Sequence, residues 1–247
     1  VYKIARIAIF MKSINNRMPK EKNMLAVSLI KEILNKVSED FTKETFFYTE
    51  SRSNKKIKDI NSSIYISNFV DSDEDLIVKG DIILNISFYN DSMYYYLYNG
   101  ALKLKSFNFK GYEFEINSIS INKEKFIKSN EVVFKTMSPI VIKNKKGIYL
   151  DCNSKEYIES LNYIADLTLK TIRGYGLQEK LEFMPLNFKK KVLKEKIRDF
   201  KEREYYYINA HTGTFSLKGN IEDLNALYKT GIGYRRTQNS GMVEVLR

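Results

Sequence analysis

The sequence predicts an α+β protein of two tandem ferredoxin-like (RRM-like) domains, the second carrying a C-terminal glycine-rich loop. Three observations support this. An order of strand, helix, strands, helix, strand can be followed twice along the 247 residues. Apolar residues recur at three- and four-residue spacing in corresponding places of the two halves. The last helix of the second half runs into a stretch holding three glycines and two adjacent arginines between Gly231 and Met242.

In the first half, Tyr2–Met11 is rich in β-branched and aromatic residues and reads as a buried strand. Pro19 is expected to open a helix whose apolar face is Met24, Val27, Ile30, Leu34 and Val37. Asp40–Asp59 is polar and lysine-rich, a loop with a short strand expected at Phe46–Tyr48. Ser62–Val70 and Asp81–Tyr89 read as strands. Asp91–Leu104 admits two readings. Tyr94, Leu97, Tyr98 and Ala101 suit a helix, whereas the tyrosine run and Asn99-Gly100 suit a hairpin; the helix is favoured. A strand pair over Lys105–Asn122, interrupted at Gly111, closes this half.

In the second half, Val132–Ile142 reads as a strand, with Pro139 implying an edge or a bulge. Lys155–Ile172 is a helix with Ile158, Leu161, Ala165, Leu169 and Ile172 on one face. Leu181–Leu186, Lys191–Ile197 and Tyr205–Lys218 supply strands. Asn220 caps a short helix bearing Ile221, Leu224 and Leu227, with Glu222 and Asp223 favourable in its first turn. Gly231 ends it, and Gly241–Leu246 is the closing strand. The expected domains are 1–130 and 131–247, joined near Ser129–Glu131 without a proline-rich linker.

Hydrophobic residues make up 43% of the chain, enough for real cores. The net charge is +11: residues 1–130 contribute 20 − 16 = +4 and residues 131–247 contribute 21 − 14 = +7. An excess of this size points to a polyanion partner. Cys152 is the only cysteine and His211 the only histidine, so neither a disulfide framework nor a two-histidine metal motif is expected, and no metal or other cofactor is predicted. A short apolar N-terminal run, without the pattern of a signal peptide or a membrane span, makes a cytoplasmic protein with no membrane partner the expectation. No helix-turn-helix pattern supports a DNA-binding regulator.

The segment Thr230–Leu246, TGIGYRRTQNSGMVEVL, is the most specific. Gly231 and Gly233 permit positive φ and close backbone approach. Arg235 and Arg236 present planar forks that match phosphate oxygens. Gln238 and Asn239 suit contacts to bases or sugars. A solvated turn joining helix to strand is the plainer reading of the same residues. The run G-I-G-Y-R-R-T-Q-N-S-G-M-V-E-V resembles the C-terminal glycine-rich signature of the CRISPR-associated repeat-cleaving endoribonucleases of the RAMP superfamily. Thr136–Ile142 (TMSPIVI), Phe215–Gly219 (FSLKG) with the helix after it, and Pro19 also sit in that family's order, so the resemblance spans nearly the whole chain.

That resemblance implies a metal-independent endoribonuclease that binds CRISPR repeat RNA and cuts the precursor transcript once per repeat. The ribose 2′-OH attacks the adjacent phosphate, leaving a 2′,3′-cyclic phosphate (or 3′-phosphate) and a 5′-OH. By resemblance, Gly231, Gly233, Arg235, Arg236, Gln238 and Gly241 contact or position the RNA. The family commonly uses a histidine after the first helix beside a tyrosine and a lysine, and here that histidine is missing. By position, Tyr48 lies in the histidine's region, Lys31 near the tyrosine's and Lys58 near the lysine's. Three alternatives stay open: Lys31, Tyr48 and Lys58 act as the catalytic set, His211 serves from the second domain, or the chain binds repeat RNA without cutting, as a subunit of an effector complex. Dimers are common in the family, so a homodimer and further CRISPR-associated subunits are candidate partners.

Other residues have milder readings. Lys194, Lys196 and Arg198 alternate along an expected strand and form a basic stripe suited to tracking phosphates. The tyrosines at 94–96 and 205–207 suit base stacking or ordinary packing. His211 reads as a partly exposed structural histidine and Cys152 as inert.

Overall fold

A β-branched strand segment is stabilised by pairing with a neighbouring strand and by covering one of its faces. The computed structural model describes residues 4–47, 56–196 and 205–246. Its internal contacts divide the chain into two units, Val1–Glu124 and Lys125–Arg247.

The first unit holds β1 (Ile4–Ser13), β2 (Arg17–Pro19), α1 (Lys22–Asn35), α2 (Glu39–Phe46), β3 (Asn61–Ile66), β4 (Phe69–Asp71), β5 (Asp75–Val78), β6 (Ile82–Ser87), α3 (Ser92–Lys103), β7 (Ser106–Phe109) and β8 (Tyr112–Lys123). Its main sheet has the order β3-β6-β1-β8-β7, with every pairing antiparallel. The second unit holds β9 (Glu131–Thr136), α4 (Lys155–Arg173), β10 (Glu182–Lys196), β11 (Tyr205–Lys218), α5 (Ile221–Thr230) and β12 (Val243–Val245). Its sheet runs β10-β11-β9-β12, again antiparallel. Taking the four core strands of each unit in chain order, both sheets read 2-3-1-4, the ferredoxin-like arrangement.

The core of the first unit follows from alternation. Ile7, Ile9 and Met11 of β1, Leu84 and Ile86 of β6, and Ile64 and Ile66 of β3 are buried with Leu29, Ile33 and Leu97 of the helices. Burying each such side chain contributes about 1.5–3 kcal/mol. Gly100 shows how closely the helical layer packs. A Cβ there would lie 2.0 Å from the Ile33 carbonyl oxygen, so α3 can cross α1 only because residue 100 has no side chain. The Asn99-Gly100 pair is therefore a helix contact, not a hairpin turn.

Several boundaries differ from expectation for identifiable reasons. Pro19 does not open α1. It ends β2, where it pairs with Asp75, and Arg17 Nε meets the Asp75 carboxylate at 2.6 Å. The segment expected as a loop with a strand at Phe46 contains α2. Ser38 Oγ accepts from the Phe41 N–H at 3.1 Å, and Glu39 and Asp40 occupy the first turn. The run Ser62–Val70 breaks into β3, which joins the main sheet, and β4, which forms a small second sheet with β2 and β5. The two strands expected on either side of Asn187 are one, β10. Its register shifts between Pro185 and Asn187 at a bulge, and β10 lies at the sheet edge, where a proline costs no ladder bond.

One buried ion pair ties the helical layer of the second unit together. The Arg173 guanidinium at the end of α4 pairs with the Asp223 carboxylate in the first turn of α5; their side chains are 2% and 0% exposed. Arg173 also donates to the Gly176 carbonyl, and Asp223 accepts from the Gln178 N–H at 2.7 Å. Removing one partner strands a buried charge, so Asp223→Ala is expected to lower stability by about 3–5 kcal/mol, measured by urea unfolding of the full chain.

Candidate functional site

Two of the sequence-predicted catalytic residues converge in the first unit. Lys31 extends from the half-buried side of α1, and Lys58 lies in the segment leading to β3. Their ammonium nitrogens both sit over the Phe46 ring, at 5.1 and 5.4 Å from its centroid, and Lys31 is also 4.4 Å from the Phe47 ring. An aromatic face attracts a cation while excluding water. Burial pushes the Lys31 ammonium below the usual lysine range. Tyr48, the third member of the set, lies outside the described residues, next in the chain after Phe47.

The fourth, His211, is placed elsewhere and is not partly exposed. It sits in β11 with 1% exposure, stacked on Phe188 and edge-on to Tyr157. Its Nε2 accepts from the Cys152 N–H at 3.3 Å. Desolvation lowers its pKa despite the nearby Asp151 carboxylate, so the ring is neutral at neutral pH.

The glycine-rich segment is packed, not open. Gly231, Gly233, Arg236 and Gly241 are buried, and Arg235 and Gln238 are half-buried. Gly233 has φ +86, and a Cβ there would approach the Val141 carbonyl oxygen to 2.6 Å. Gly241 has φ +80, and its Cβ would meet the Ile232 carbonyl at 2.3 Å. These glycines let the segment lie against its own chain. The two arginines diverge. Arg236 turns inward and donates to the Thr230 carbonyl at 2.6 Å, capping the C-terminus of α5, where a cation also meets the negative end of the helix dipole. Arg235, in left-handed conformation with φ 63, lies beside Tyr149.

Of the basic stripe, Lys194 is exposed on β10, Lys196 ends that strand, and Arg198 lies outside the described residues.

Composition did not single out two further groups. Around Arg235, the Tyr149 and Tyr206 rings meet edge-on at 5.9 Å, and Lys143 lies 4.8 Å over the Tyr234 ring. Burial and the Tyr206 hydroxyl push the Tyr149 phenol up to about 12. In the first unit, one end of the sheet face opposite the helices, across β3, β6 and β1, is polar yet buried. Asn61 pairs with Ser87, Ser87 with Arg6, and Ser63 with Asn85. The Asn61 amide and the Ser87 hydroxyl are fully buried without a hydrogen-bond partner among the described residues, a costly arrangement unless something polar satisfies them. The visible signal was alternation: in N-S-S-I-Y-I, Asn61 and Ser63 fall on one face and Ile64 and Ile66 on the other.

Comparison with known proteins bears on the fold and the family. The family described as CRISPR associated protein Cas6, C-terminal, matches residues 121–245. A solved structure from the characterization of a Cas6-related gene of Pyrococcus furiosus superposes with a TM-score of 0.81 at 23% identity, covering 98% of each chain. One described as a RAMP protein binding different RNA substrates gives 0.81 at 20% identity, covering 98% of this chain and 100% of that one. A Cas6 product complex gives 0.64 at 12% identity, covering 99% and 100%. At such identities these likenesses establish the fold. No curated protein matches the chain.

Proposed function

Because the chain belongs to the Cas6 family of CRISPR-associated proteins, we propose that it binds CRISPR repeat RNA and cuts the precursor transcript within each repeat without a metal ion. The observation carrying this reading is the convergence of Lys31 and Lys58 on one aromatic face, with the Lys31 ammonium destabilised by burial.

The chemistry needs three things: a base for the 2′-OH proton, positive charge on the pentavalent phosphorane, and a proton for the departing 5′-oxygen. The 2′-oxygen forms a bond to phosphorus as the bond from phosphorus to the 5′-oxygen breaks, leaving a 2′,3′-cyclic phosphate and a 5′-hydroxyl. Lys31, its ammonium destabilised by desolvation, takes the 2′-OH proton in its neutral form. Lys58 supplies the cation, and the Tyr48 hydroxyl supplies the proton to the 5′-oxygen. RNA is held by Arg235 with the tyrosines around it and by exposed Lys194. Gly231, Gly233, Gly241 and Arg236 support this reading indirectly, as the frame that holds Arg235 in place; Gln238 is a further contact.

A second reading rests on one specific observation. The chain's only histidine is buried and engaged by a backbone N–H, which favours a subunit that holds repeat RNA without cutting it. The deciding experiment is cleavage of end-labelled repeat RNA in EDTA, beside a substrate carrying a 2′-deoxy nucleotide just upstream of the cut. The proposal expects a single cut that survives EDTA and disappears with the 2′-deoxy substrate. Tight binding with no cut would establish the holder.

If Lys31 is the base, activity rises with pH through a pKa below that of free lysine, because only the neutral amine accepts a proton. Lys31→Arg, which keeps the charge and cannot deprotonate, is expected to lose about 10²–10³-fold in single-turnover rate. Retained activity in that variant would leave Lys31 a purely electrostatic role.

The adjacent arginines are expected to separate. Arg235→Ala lowers repeat affinity and flattens the plot of log affinity against log salt by about 0.7–0.9, with unchanged stability. Arg236→Ala loses about 1–3 kcal/mol of stability by uncapping α5, read by thermal unfolding without RNA.

A further inference from the structure

Three side chains of the second unit, none used in the proposed chemistry, bring different metal-ligating atoms together. Asp151 and Cys152 are consecutive in the turn before α4, and His211 comes across from β11. One ligand atom from each lies within 4.8 Å of the other two. His211 Nε2 is 3.8 Å from Asp151 Oδ2. We propose that Asp151, Cys152 and His211 form a three-ligand site for a divalent transition-metal ion of the zinc class, with its fourth position open to solvent.

The donor set argues for this class of ion. A thiolate, an imidazole and a carboxylate together suit zinc, cobalt or copper and not magnesium or calcium, which take oxygen ligands. Bonds of about 2.0–2.3 Å in a tetrahedron place ligand atoms about 3.3–3.8 Å apart. The His211–Asp151 separation of 3.8 Å is a few tenths of an ångström longer than the roughly 3.3–3.5 Å of a nitrogen–oxygen pair in such a tetrahedron. The rest closes by side-chain rotation in the turn, where Asp151 is 48% exposed and Cys152 half-buried, so an ion can enter from solvent.

The histidine is prepared for the role. Because Nε2 accepts from the Cys152 N–H, the ring proton is on Nδ1, the tautomer that presents an Nε2 lone pair toward Asp151 and Cys152. Phe188 and Tyr157 fix the ring plane by stacking. Coordination would replace the 3.3 Å hydrogen bond, a long one, with a metal bond, and the Cys152 thiol would release its proton to solvent. Lys190, opposite His211 in the β10–β11 register, is the nearby cation; it is exposed and can swing away. A bound ion would staple the turn that leads into α4, whose N-cap is Ser154, to β11.

The test needs no RNA, so its failure and that of the proposed nuclease are separate results. Full-length protein stripped with chelator is titrated with Co²⁺ as a spectroscopic stand-in for Zn²⁺. The expected result is a thiolate-to-cobalt charge-transfer band in the near ultraviolet with tetrahedral visible bands. These should saturate at one equivalent and bleach on adding Zn²⁺. Cys152→Ser, a conservative change at a half-buried position, is expected to abolish the charge-transfer band while its circular dichroism matches the wild type. Asp151→Asn should weaken cobalt binding by about tenfold or more. No charge-transfer band at equimolar cobalt, or one that persists in Cys152→Ser, would overturn the site.

Discussion

The second unit is organised around a backbone contact with no room for a side chain. The Gly233 backbone lies against the Val141 carbonyl, and the Tyr234 N–H donates to that same oxygen at 2.9 Å. Around it the segment is sewn down at both ends. The Ile232 N–H donates to Gly241, the Gly241 N–H to Pro139, and the Met137 N–H to Met242. With positive φ at Gly231, Gly233 and Gly241, a run that looks like flexible linker becomes a rigid edge beside β9 and β12. Rigidity decides where each arginine points. With the backbone held, the Arg236 side chain points to the end of α5 and Arg235 to the tyrosines, and the two cannot exchange roles without undoing the contact.

The lysines of the first unit show a different use of burial. A lysine in water at neutral pH is a poor base because it is almost wholly protonated. Placed against Phe46 and Phe47, Lys31 keeps an attractive surface for its cation and loses much of its water, and the lost hydration is what lowers its pKa. The same aromatic residues at the end of α2 thus both hold the Lys31 cation and keep part of its water away. The two tandem units share a strand order yet differ in chemistry: the first offers lysines on an aromatic seat, the second an arginine held among tyrosines. This agrees with the general rule that function resides in sites built upon a fold.

Much of the architecture was legible in the residues. The apolar spacing of Val27, Ile30 and Leu34 marked the helix, and the succession of strands and helices along both halves was readable because alternation and helical periodicity are local properties. The Asn220 cap was visible for the same reason, and its side chain accepts from the Glu222 N–H. What escaped was of two kinds. Some signals were present but outweighed: the Ser38 cap with Glu39 and Asp40 announced α2, yet the polarity of the stretch suggested a loop. Others needed a partner distant in sequence. Pro19 ends a strand because Asp75 pairs with it, and Gly100 is required because Ile33 lies beneath it.

The sequence alone determined the fold class, the basic charge, the family signature and the residue types present for chemistry, because each follows from composition or from short-range spacing. Only the tertiary structure decided how those residues are used. It put Lys31 and Lys58 on one ring, turned Arg236 inward, buried His211 beside Asp151 and Cys152, and left Asn61 and Ser87 without partners among the described residues. Each of these depends on contacts between residues far apart in the chain, and burial, which sets both the protonation of a lysine and the cost of an unpaired amide, exists only once those contacts have formed.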